Sequence, residues 1–434
     1  MKKIFILLLF LMTKAFSMLE SYNSYQFIIG ERSAGMARAY TAISDDPTAI
    51  WYNPAGLANI KNHRINISAN SYSYLAKDQN KLWQAKQQDG TYKGIPLEQE
   101  EFTIVPNSII FSYNLGSING MNNTLSFGIL VPMQTDTKAG IEGSVIGSTQ
   151  SVYIKSVFNV HSKFYIGMIG YGLSLTEKLN FGMSIGIGYY QGSGDATITA
   201  YIDTINDLVV ANYIENNIEL FTFISNIGLQ YKIDENNRIG IMYQSPALRL
   251  SGEREEITYE KNNIDPANKK TVKKDKYFTK VIPDSINIGY GYEKKENFSI
   301  EADLSLHFTN EEKPNKILNF KIGSEIFFSK NSVLRFGFFT DFTQKNKIIP
   351  SEDLEERYNV FGASLSYSFA KVFTLIEEKE TTYNKLWTTF GIIYQLGKGE
   401  YNTYMFDENL TSSSTVEKQT FSRITLFIAE SLSF

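Results

Sequence analysis

The sequence predicts an all-β protein, a 14-stranded antiparallel transmembrane β-barrel that holds a helical N-terminal segment in its lumen. Two observations predict the wall: apolar and polar residues alternate with a period of two, and tight turns alternate with long polar connections. A third observation, a cluster of small residues near the N-terminus, predicts the segment inside.

Residues 298–308 show the clearest alternation. Phe298, Ile300 and the following even-numbered residues are apolar up to Phe308, while the odd-numbered residues between them are polar. A helix would scatter these side chains around its circumference, so the pattern indicates a strand with one face toward lipid and one toward water. Residues 181–190, 286–292 and 361–369 alternate in the same way, and the whole chain contains fourteen such segments.

The connections between these segments fall into two classes. Residues 175–178 (LTEK) and 233–237 (IDENN) are tight turns, whereas 132–159 and 191–215 are long polar stretches, which we predict to be loops. Short turns at one rim and long connections at the other are typical of outer-membrane barrels. The mean hydropathy of −0.21 together with 57 Phe and Tyr residues also fits alternating faces better than a helical membrane protein.

The first 17 residues have the features of a secretory signal peptide. Lys2 and Lys3 precede an apolar run, and small residues stand near the predicted cleavage site after Ser17. The chain contains no cysteine, so neither disulfides nor thiolate metal sites are possible. Its net charge of −4 argues against a nucleic-acid partner.

Residues 35–58 are rich in Gly and Ala and contain two helix-start signals, Asp46-Pro47 and Asn53-Pro54. Fourteen strands enclose a lumen too wide for side chains alone to fill. We therefore predict three regions: a signal peptide at 1–17, a plug (hatch) at 18–62, and the barrel at 63–434. Asp46 is predicted to cap a helix, and Asp45 to pair with a base such as Arg38.

The run SAGMARAY at 33–40, the Asp45-Asp46 pair and the triplet Asn53-Pro54-Ala55 resemble the N-terminal hatch of the FadL family of outer-membrane transporters. The hatch motif carried over by this resemblance consists of Gly35, Arg38, Asp45, Asp46, Asn53, Pro54 and Ala55. The resemblance implies a location in the cell outer membrane and passive transport of long-chain fatty acids or other hydrophobic compounds, gated by the hatch.

The same resemblance implies a lateral opening beside an inward kink in the third strand of the barrel. In this sequence the kink would fall within residues 124–132, where Gly128 and Pro132 would permit it. Hydrophobic compounds would leave the lumen there and enter the membrane lipid.

Several inward-facing side chains are candidate substrate contacts. Lys321 or Arg335 would dock a substrate carboxylate, or would instead pair with lumen carboxylates such as Glu325. Tyr190, Phe327 and Phe339 interrupt polar faces, so they would line an apolar pocket or pack against the alanines of the plug. We favour structural pairing for the charged residues and leave the role of the aromatic residues open.

The sequence gives little support for catalysis. His63, His161 and His307 are isolated, with none at metal-ligand spacing, and no G-x-S-x-G motif is present. We therefore expect a protein that is not an enzyme and that needs no cofactor or metal.

Two alternatives to hydrophobic transport stay open from the sequence. The first is a diffusion porin for polar solutes, and the second is a secretion-associated barrel that binds an exported protein partner. In every case outer-membrane lipid surrounds the wall, and in the favoured case the other partner is a hydrophobic small molecule.

Overall fold

The computed structural model describes residues 27–434 apart from 78, 87–89, 119, 147–150, 203–206, 263–268, 277–281, 295–296, 310–313, 351–355, 378–379 and 407–411. The predicted signal peptide and residues 18–26 of the predicted plug therefore lie outside the described residues. The strands are β1 (Arg64–Lys77), β2 (Gln79–Lys86), β3 (Tyr92–Ile118), β4 (Met121–Ile146), β5 (Ser151–Ser174), β6 (Leu179–Ile202), β7 (Asp207–Lys232), β8 (Asn237–Gln244), β9 (Leu248–Asn262), β10 (Lys269–Lys276), β11 (Ser285–Lys294), β12 (Phe298–His307), β13 (Ile317–Ser329), β14 (Ser332–Asp341), β15 (Glu356–Glu377), β16 (Glu380–Phe406) and β17 (Ser412–Ser433).

These strands form one closed antiparallel ring. Strand β1 closes it by pairing with β3 on one side and with β17 on the other. Strands β8 and β9 both pair with β7 and occupy one position in the wall, while β11 and β10 continue the next position against β8 and β9. Strand β2 is a short addition beside β3 and β16. The described strands thus fill fourteen wall positions, which confirms the predicted 14-stranded barrel.

The faces of the wall follow the predicted alternation. On β12, Ser299, Glu301, Asp303 and Ser305 are buried toward the lumen, while Phe298, Ile300 and Leu304 are exposed on the outside. Such an outward apolar face is stable only where lipid replaces water, because exposed apolar area is costly in water. The inward faces are mostly polar on β11 to β15, whereas those of β3 to β7 combine polar side chains with a large cluster of apolar ones.

The two rims of the barrel differ, but the long connections are not loops. Tight turns join β5 to β6 and β7 to β8 at the rim that also carries the C-terminus. At the opposite rim, β4 and β5 stay paired to Ile146↔Ser151, and β6 and β7 to Ile202↔Asp207. The prediction of loops at 132–159 and 191–215 is wrong, because antiparallel pairing continues along these residues nearly to the tips of the two hairpins.

Residues 27–60 lie inside the ring and are almost entirely buried. This N-terminal segment contains two short α-helices, α1 (Glu31–Gly35) and α2 (Ala49–Tyr52), and a 3-10 helix at Pro54–Asn59. The Asn53 side chain caps the 3-10 helix as predicted. The Asp46-Pro47 signal instead makes a turn, and α2 begins two residues after Pro47 with Thr48 at its N-cap.

Glycines on the inner wall allow the segment to approach the strands closely. A methyl group added at these positions would overlap atoms of residues 36–58; the positions are Gly170, Gly172, Gly182, Gly228, Gly240, Gly289, Gly291, Gly323 and Gly337. Small residues in the segment and glycines in the wall therefore bring two backbones together, as close packing of an interior requires.

We predict that Gly182→Val destabilises the folded barrel far more than Gly167→Val. A side chain at Gly182 would overlap the Pro54 carbonyl and the Ala55 nitrogen, backbone atoms that cannot turn aside, whereas nothing lies within 4 Å of a methyl group at the lipid-facing Gly167. Overpacking of this kind costs about 1–3 kcal/mol. The free energy of unfolding, measured by urea titration of the purified protein, checks this; equal losses for the two variants would contradict it.

Candidate functional site in the barrel lumen

The Asn53 side chain forms hydrogen bonds both within the N-terminal segment and to the barrel wall. Its Oδ1 accepts a hydrogen bond from the Ala55 N–H (3.2 Å), and its Nδ2 donates to the carbonyl oxygens of Thr41 (2.8 Å) and Leu229 (3.1 Å). The side chain is fully buried, with Gly228 opposite it on β7. A buried amide with all these partners satisfied fixes the turn in one position.

The two aspartates of the predicted hatch motif have different partners. Asp46 accepts hydrogen bonds from the Thr48 N–H (2.8 Å) and from the Tyr40 hydroxyl (2.8 Å). Burial raises the pKa of Tyr40 well above its usual value, so the phenol stays protonated and able to donate. Asp45 pairs with a base of the same segment as predicted, but that base is Arg32 and not Arg38.

Glu325 on β13 is the centre of a buried charged cluster. Arg32 of the segment donates to it from two nitrogens (2.8 and 2.7 Å), and Arg335 on β14 donates from Nε (2.6 Å). The Ser299 hydroxyl adds a further hydrogen bond of 2.8 Å. One carboxylate thus binds two guanidinium groups and joins the segment to three strands, and Asp45 supplies a second negative charge to Arg32.

Glu301 and Asp303 on β12 accept hydrogen bonds from the backbone of residues 40–43. Asp303 Oδ2 accepts from the Tyr40 N–H (3.0 Å) and the Thr41 hydroxyl (2.7 Å). Glu301 accepts from the N–H groups of Ala42 and Ile43. The alternation in the sequence predicted that both carboxylates lie on the lumen face, but nothing in it indicated that they accept hydrogen bonds from the backbone of the N-terminal segment.

Neutral side chains hold the later part of the segment. Asn122 Nδ2 donates to the carbonyl oxygens of Ala58 (2.6 Å) and Ile60 (2.8 Å), and Ser184 donates to that of Ile50 (2.8 Å). Asn114, Asn180 and Asn226 donate further bonds to residues 51–60, and Gln230 accepts one from Asn59. Sequence reasoning missed these residues, although amide side chains at inward positions of alternating strands were a signal for them.

Two cavities lie on opposite sides of the segment. The outer cavity, about 60 Å³, faces the long-hairpin rim and is lined by Phe27, Arg38, Thr41, Trp51, Tyr52, Met242, Gln244, Ser285, Asn287, His307, Asn319, Lys321, Thr340 and Asp341. The inner vestibule, about 670 Å³, opens toward the short-turn rim, and its lining includes Arg32, Asp45, Asp46, Glu293, Glu325, Phe327, Arg335 and Trp387. Burial raises the pKa of Tyr52 to about 12, so its hydroxyl in the outer cavity stays neutral.

The predicted substrate contacts are not brought together. Lys321 lines the outer cavity, whereas Arg335 and Phe327 line the inner vestibule. Phe339 packs against Ala34 and Ala37 of the segment, and the Arg38 guanidinium lies 5.3 Å from the centre of its ring. Tyr190 belongs to a separate apolar cluster on the opposite side of the lumen.

That cluster makes one half of the lumen apolar. It joins inward side chains of β3 to β7 to residues of the segment; its members are Ile29, Ala49, Ile50, Trp51, Leu57, Ile60, Ile110, Leu130, Phe164, Ile166, Met168, Tyr190, Leu220, Ile224, Ala247 and Ile282, with Tyr52, Met133 and Ile218 packed against them. The charged clusters around Glu301 and Glu325 occupy the other half.

The wall is interrupted beside the apolar half. Pairing of β3 with β4 runs from Leu97↔Ile141 to Glu101↔Thr137 and resumes only at Ser108↔Leu130. Against β5, the register moves from Leu130↔Ile166 to Met133↔Phe164, so Val131 and Pro132 form a bulge with one extra residue. Pro132 lacks an N–H, and its carbonyl oxygen accepts from the Phe27 N–H (3.0 Å).

Gly128 lies in the regular ladder and not in this bulge. It pairs with Ile110 on β3 and with Met168 on β5. An added methyl group there would lie 2.6 Å from the Ile109 carbonyl oxygen. Of the two residues expected at a kink, only Pro132 therefore stands where the ladder breaks.

No helix among the described residues is long and apolar enough to cross a bilayer. The same part of the chain contains no group of three or more His, Asp or Glu side chains placed to hold a metal ion.

Residues 23–310 match the family model described as "Outer membrane protein transport protein (OMPP1/FadL/TodX)". The match spans more than half of the chain and includes the N-terminal segment and the interrupted wall. The chain belongs to this family. The family consists of transport channels of the outer membrane, and the resemblance to the FadL family that the sequence indicated is thereby confirmed.

Solved structures of this FadL/TodX-type fold cover nearly the whole chain. A Pseudomonas aeruginosa FadL homologue has a TM-score of 0.59 at 10% identity, covering 96% of this chain and 99% of its own. The CymD monoaromatic hydrocarbon channel has a TM-score of 0.55 at 12% identity, covering 95% and 99%. The Pseudomonas putida toluene transporter TodX has 0.52 at 13%, covering 95% and 99%. No curated protein matches the sequence.

We predict that Glu325→Ala destabilises this FadL/TodX-type barrel by about 3–5 kcal/mol, because the change leaves Arg32 and Arg335 buried without their shared carboxylate. Glu256→Ala is the control, since it removes a carboxylate from a partly exposed pair with Arg254 and should cost less than about 1 kcal/mol. Urea unfolding followed by intrinsic fluorescence measures both; a loss below 1 kcal/mol for Glu325→Ala would refute the cluster's structural role.

Proposed function

We propose that this protein passively transports hydrophobic compounds across the outer membrane through the apolar half of its lumen, with exit through the interrupted wall between β3 and β4. The observation that carries this proposal is the position of the apolar cluster. Leu130 and Met133 flank the bulge at Val131–Pro132, and Phe164 opposite them belongs to the same cluster. An apolar surface therefore leads directly to the place where strand pairing stops.

An apolar solute crosses a water-filled pore poorly, whereas it exchanges readily between an apolar pocket and the bilayer. An interrupted ladder in a membrane wall normally leaves backbone groups unsatisfied, at a cost of several kcal/mol each. Pro106 on β3 and Pro132 on β4 lie within this interruption and have no N–H to satisfy. These two prolines thus lower the free-energy cost of unpaired backbone groups at the interruption. This supports a role for the interruption as a lateral opening.

In this proposal, residues 18–62 act as the hatch, residues 63–434 form the wall, and residues 1–17 direct export. The described part of the hatch fills the lumen with small residues, and its Phe27 N–H is bonded to the bulge at Pro132. Movement of the hatch near Phe27 would change the opening, because the two share this hydrogen bond. The motif residues Gly35, Asn53, Pro54 and Ala55 keep the hatch against the wall and are not substrate contacts.

The solute class in this proposal is a long-chain fatty acid or another hydrophobic compound. A fatty acid would place its chain along the apolar half and its carboxylate near Lys321 in the outer cavity, since Arg335 is already bonded to Glu325 and Ser368. Two similar structures are named as a monoaromatic hydrocarbon channel and a toluene transporter, which makes uncharged aromatic compounds the second solute class to test.

Uptake of radiolabelled oleate and of toluene, compared between cells with and without the protein, tests the proposed function. Uptake of either compound that depends on the protein supports it, and the compound that shows the effect identifies the solute class. Equal uptake in both cell types would remove the proposal.

We predict that Met133→Glu reduces this uptake at least tenfold. The change places a carboxylate at the junction of the apolar cluster and the bulge, where a passing apolar solute would have to approach a charge. Met121→Glu is the matched control, because Met121 borders a polar cavity at the short-turn rim. Equal uptake by the two variants, at equal amounts of folded barrel on unheated gels, would contradict the proposed route.

A further inference from the structure

The N-terminal segment consists of two parts that are bonded to the wall by different chemistry. Charged groups hold residues 31–46, named here the charged part, through Arg32, Glu301, Asp303 and Glu325. Neutral groups hold residues 48–60, the neutral part, through side chains such as Asn122 and Ser184. Pro47 separates the two. Where they meet, Asn53 and Gln230 donate to the Thr41 carbonyl oxygen, and Gln230 also donates to Ser44.

The charged part forms the partition between the two polar cavities. Arg38 and Thr41 line the outer cavity, whereas Arg32, Asp45 and Asp46 line the inner vestibule. Displacement of this part would therefore join the two cavities along the polar half of the lumen. The neutral part packs under the apolar cluster through Ile50, Trp51 and Leu57, and only Trp51 and Tyr52 of it also border the outer cavity.

The backbone of the charged part is strained. Ala37 and Arg38, two consecutive residues with side chains, have φ angles of 54° and 68°. Such left-handed conformations are unfavourable for residues other than glycine, and they persist only where surrounding contacts hold them. Here the holding contacts are the hydrogen bonds to Asp303 and Glu301 that begin two residues later, at Tyr40.

We propose that residues 31–46 are a gate for small polar solutes and ions, which swings away from the wall about Pro47 while residues 48–60 stay in place. Loss of the bonds to Asp303 and Glu301 releases the strain at Ala37 and Arg38, and the outer cavity then joins the vestibule in a water-filled path. The hydrophobic route meets this path at the outer cavity, where Lys321 would hold a fatty-acid carboxylate, and then follows the opposite half of the lumen.

Ion current through single barrels in planar bilayers tests the gate. Asp303→Ala removes the acceptor for two hydrogen bonds to the charged part, and Asn122→Ala removes two donated bonds to the neutral part, so the variants are matched in number of bonds. We expect Asp303→Ala to raise the open probability at least tenfold over the parent and Asn122→Ala to leave it unchanged. Equal increases in open probability for the two variants would mean that the segment moves as one body. No increase in either variant would mean that the charged part is not a gate. Either outcome would overturn the proposal.

A disulfide tests the gate without removing a buried charge. The native chain has no cysteine, and a Cβ atom built at Gly291 lies 3.8 Å from the Ile43 Cβ, a separation that suits a disulfide. In the double variant Ile43→Cys, Gly291→Cys, we expect oxidation to abolish channel openings and reduction to restore them. Openings that persist at the same frequency after oxidation would overturn the proposal, even if Asp303→Ala fails to assemble.

The two routes give separate readouts. Uptake of oleate or toluene by the oxidised double variant should equal that of the reduced form, because the apolar half and the bulge at Pro132 stay unchanged. Loss of ion current with retained uptake supports the gate. Loss of both ion current and uptake on oxidation would show that residues 31–46 also control the hydrophobic route. That result would overturn the proposal of two separate routes. Absence of uptake in every form would count only against the proposed hydrophobic transport.

Discussion

The structure depends on the close contact between a glycine-lined wall and a small-residue segment that is anchored by buried carboxylates. A ring of fourteen strands is too wide to be filled by its own side chains. Wall glycines such as Gly182 and Gly228 let the backbone of residues 53–55 approach the strands, while Glu301, Asp303 and Glu325 bind residues 32–43 of the same segment. Each of these carboxylates is buried, so each requires its partners in the segment, just as the segment requires the carboxylates.

This mutual dependence divides the lumen into two halves with different physical properties. On the side of β11 to β14, charges of both signs are balanced within the protein, as Glu325 is by Arg32 and Arg335. On the side of β3 to β7, apolar side chains meet Trp51 and Leu57 of the segment and extend to the bulge at Pro132. A polar path and an apolar path can therefore coexist in one barrel, and Trp51 and Tyr52 border both.

The bulge at Val131–Pro132 also has a structural consequence for the strand that contains it. One extra residue reverses which side chains face outward, so Phe127 and Ile129 face lipid before it, whereas Asp136 and Lys138 face outward after it. The reversal keeps the apolar face within the bilayer and a polar outer face above it. The bulge that interrupts the strand pairing thus also gives the extended end of β4 a polar outer face.

The sequence by itself determined the alternating strands, their number, the short-turn rim and the small-residue segment, because period-two patterns and turn residues are local properties. It also determined the Asn53 cap, since a cap acts within a few residues. Only the tertiary structure decided that Asp45 pairs with Arg32, that Lys321 and Arg335 lie in different cavities, and that the long connections continue as hairpins. Those outcomes depend on which strands meet across the ring, and residues as distant as Arg32 and Glu325 carry no local signal of their contact.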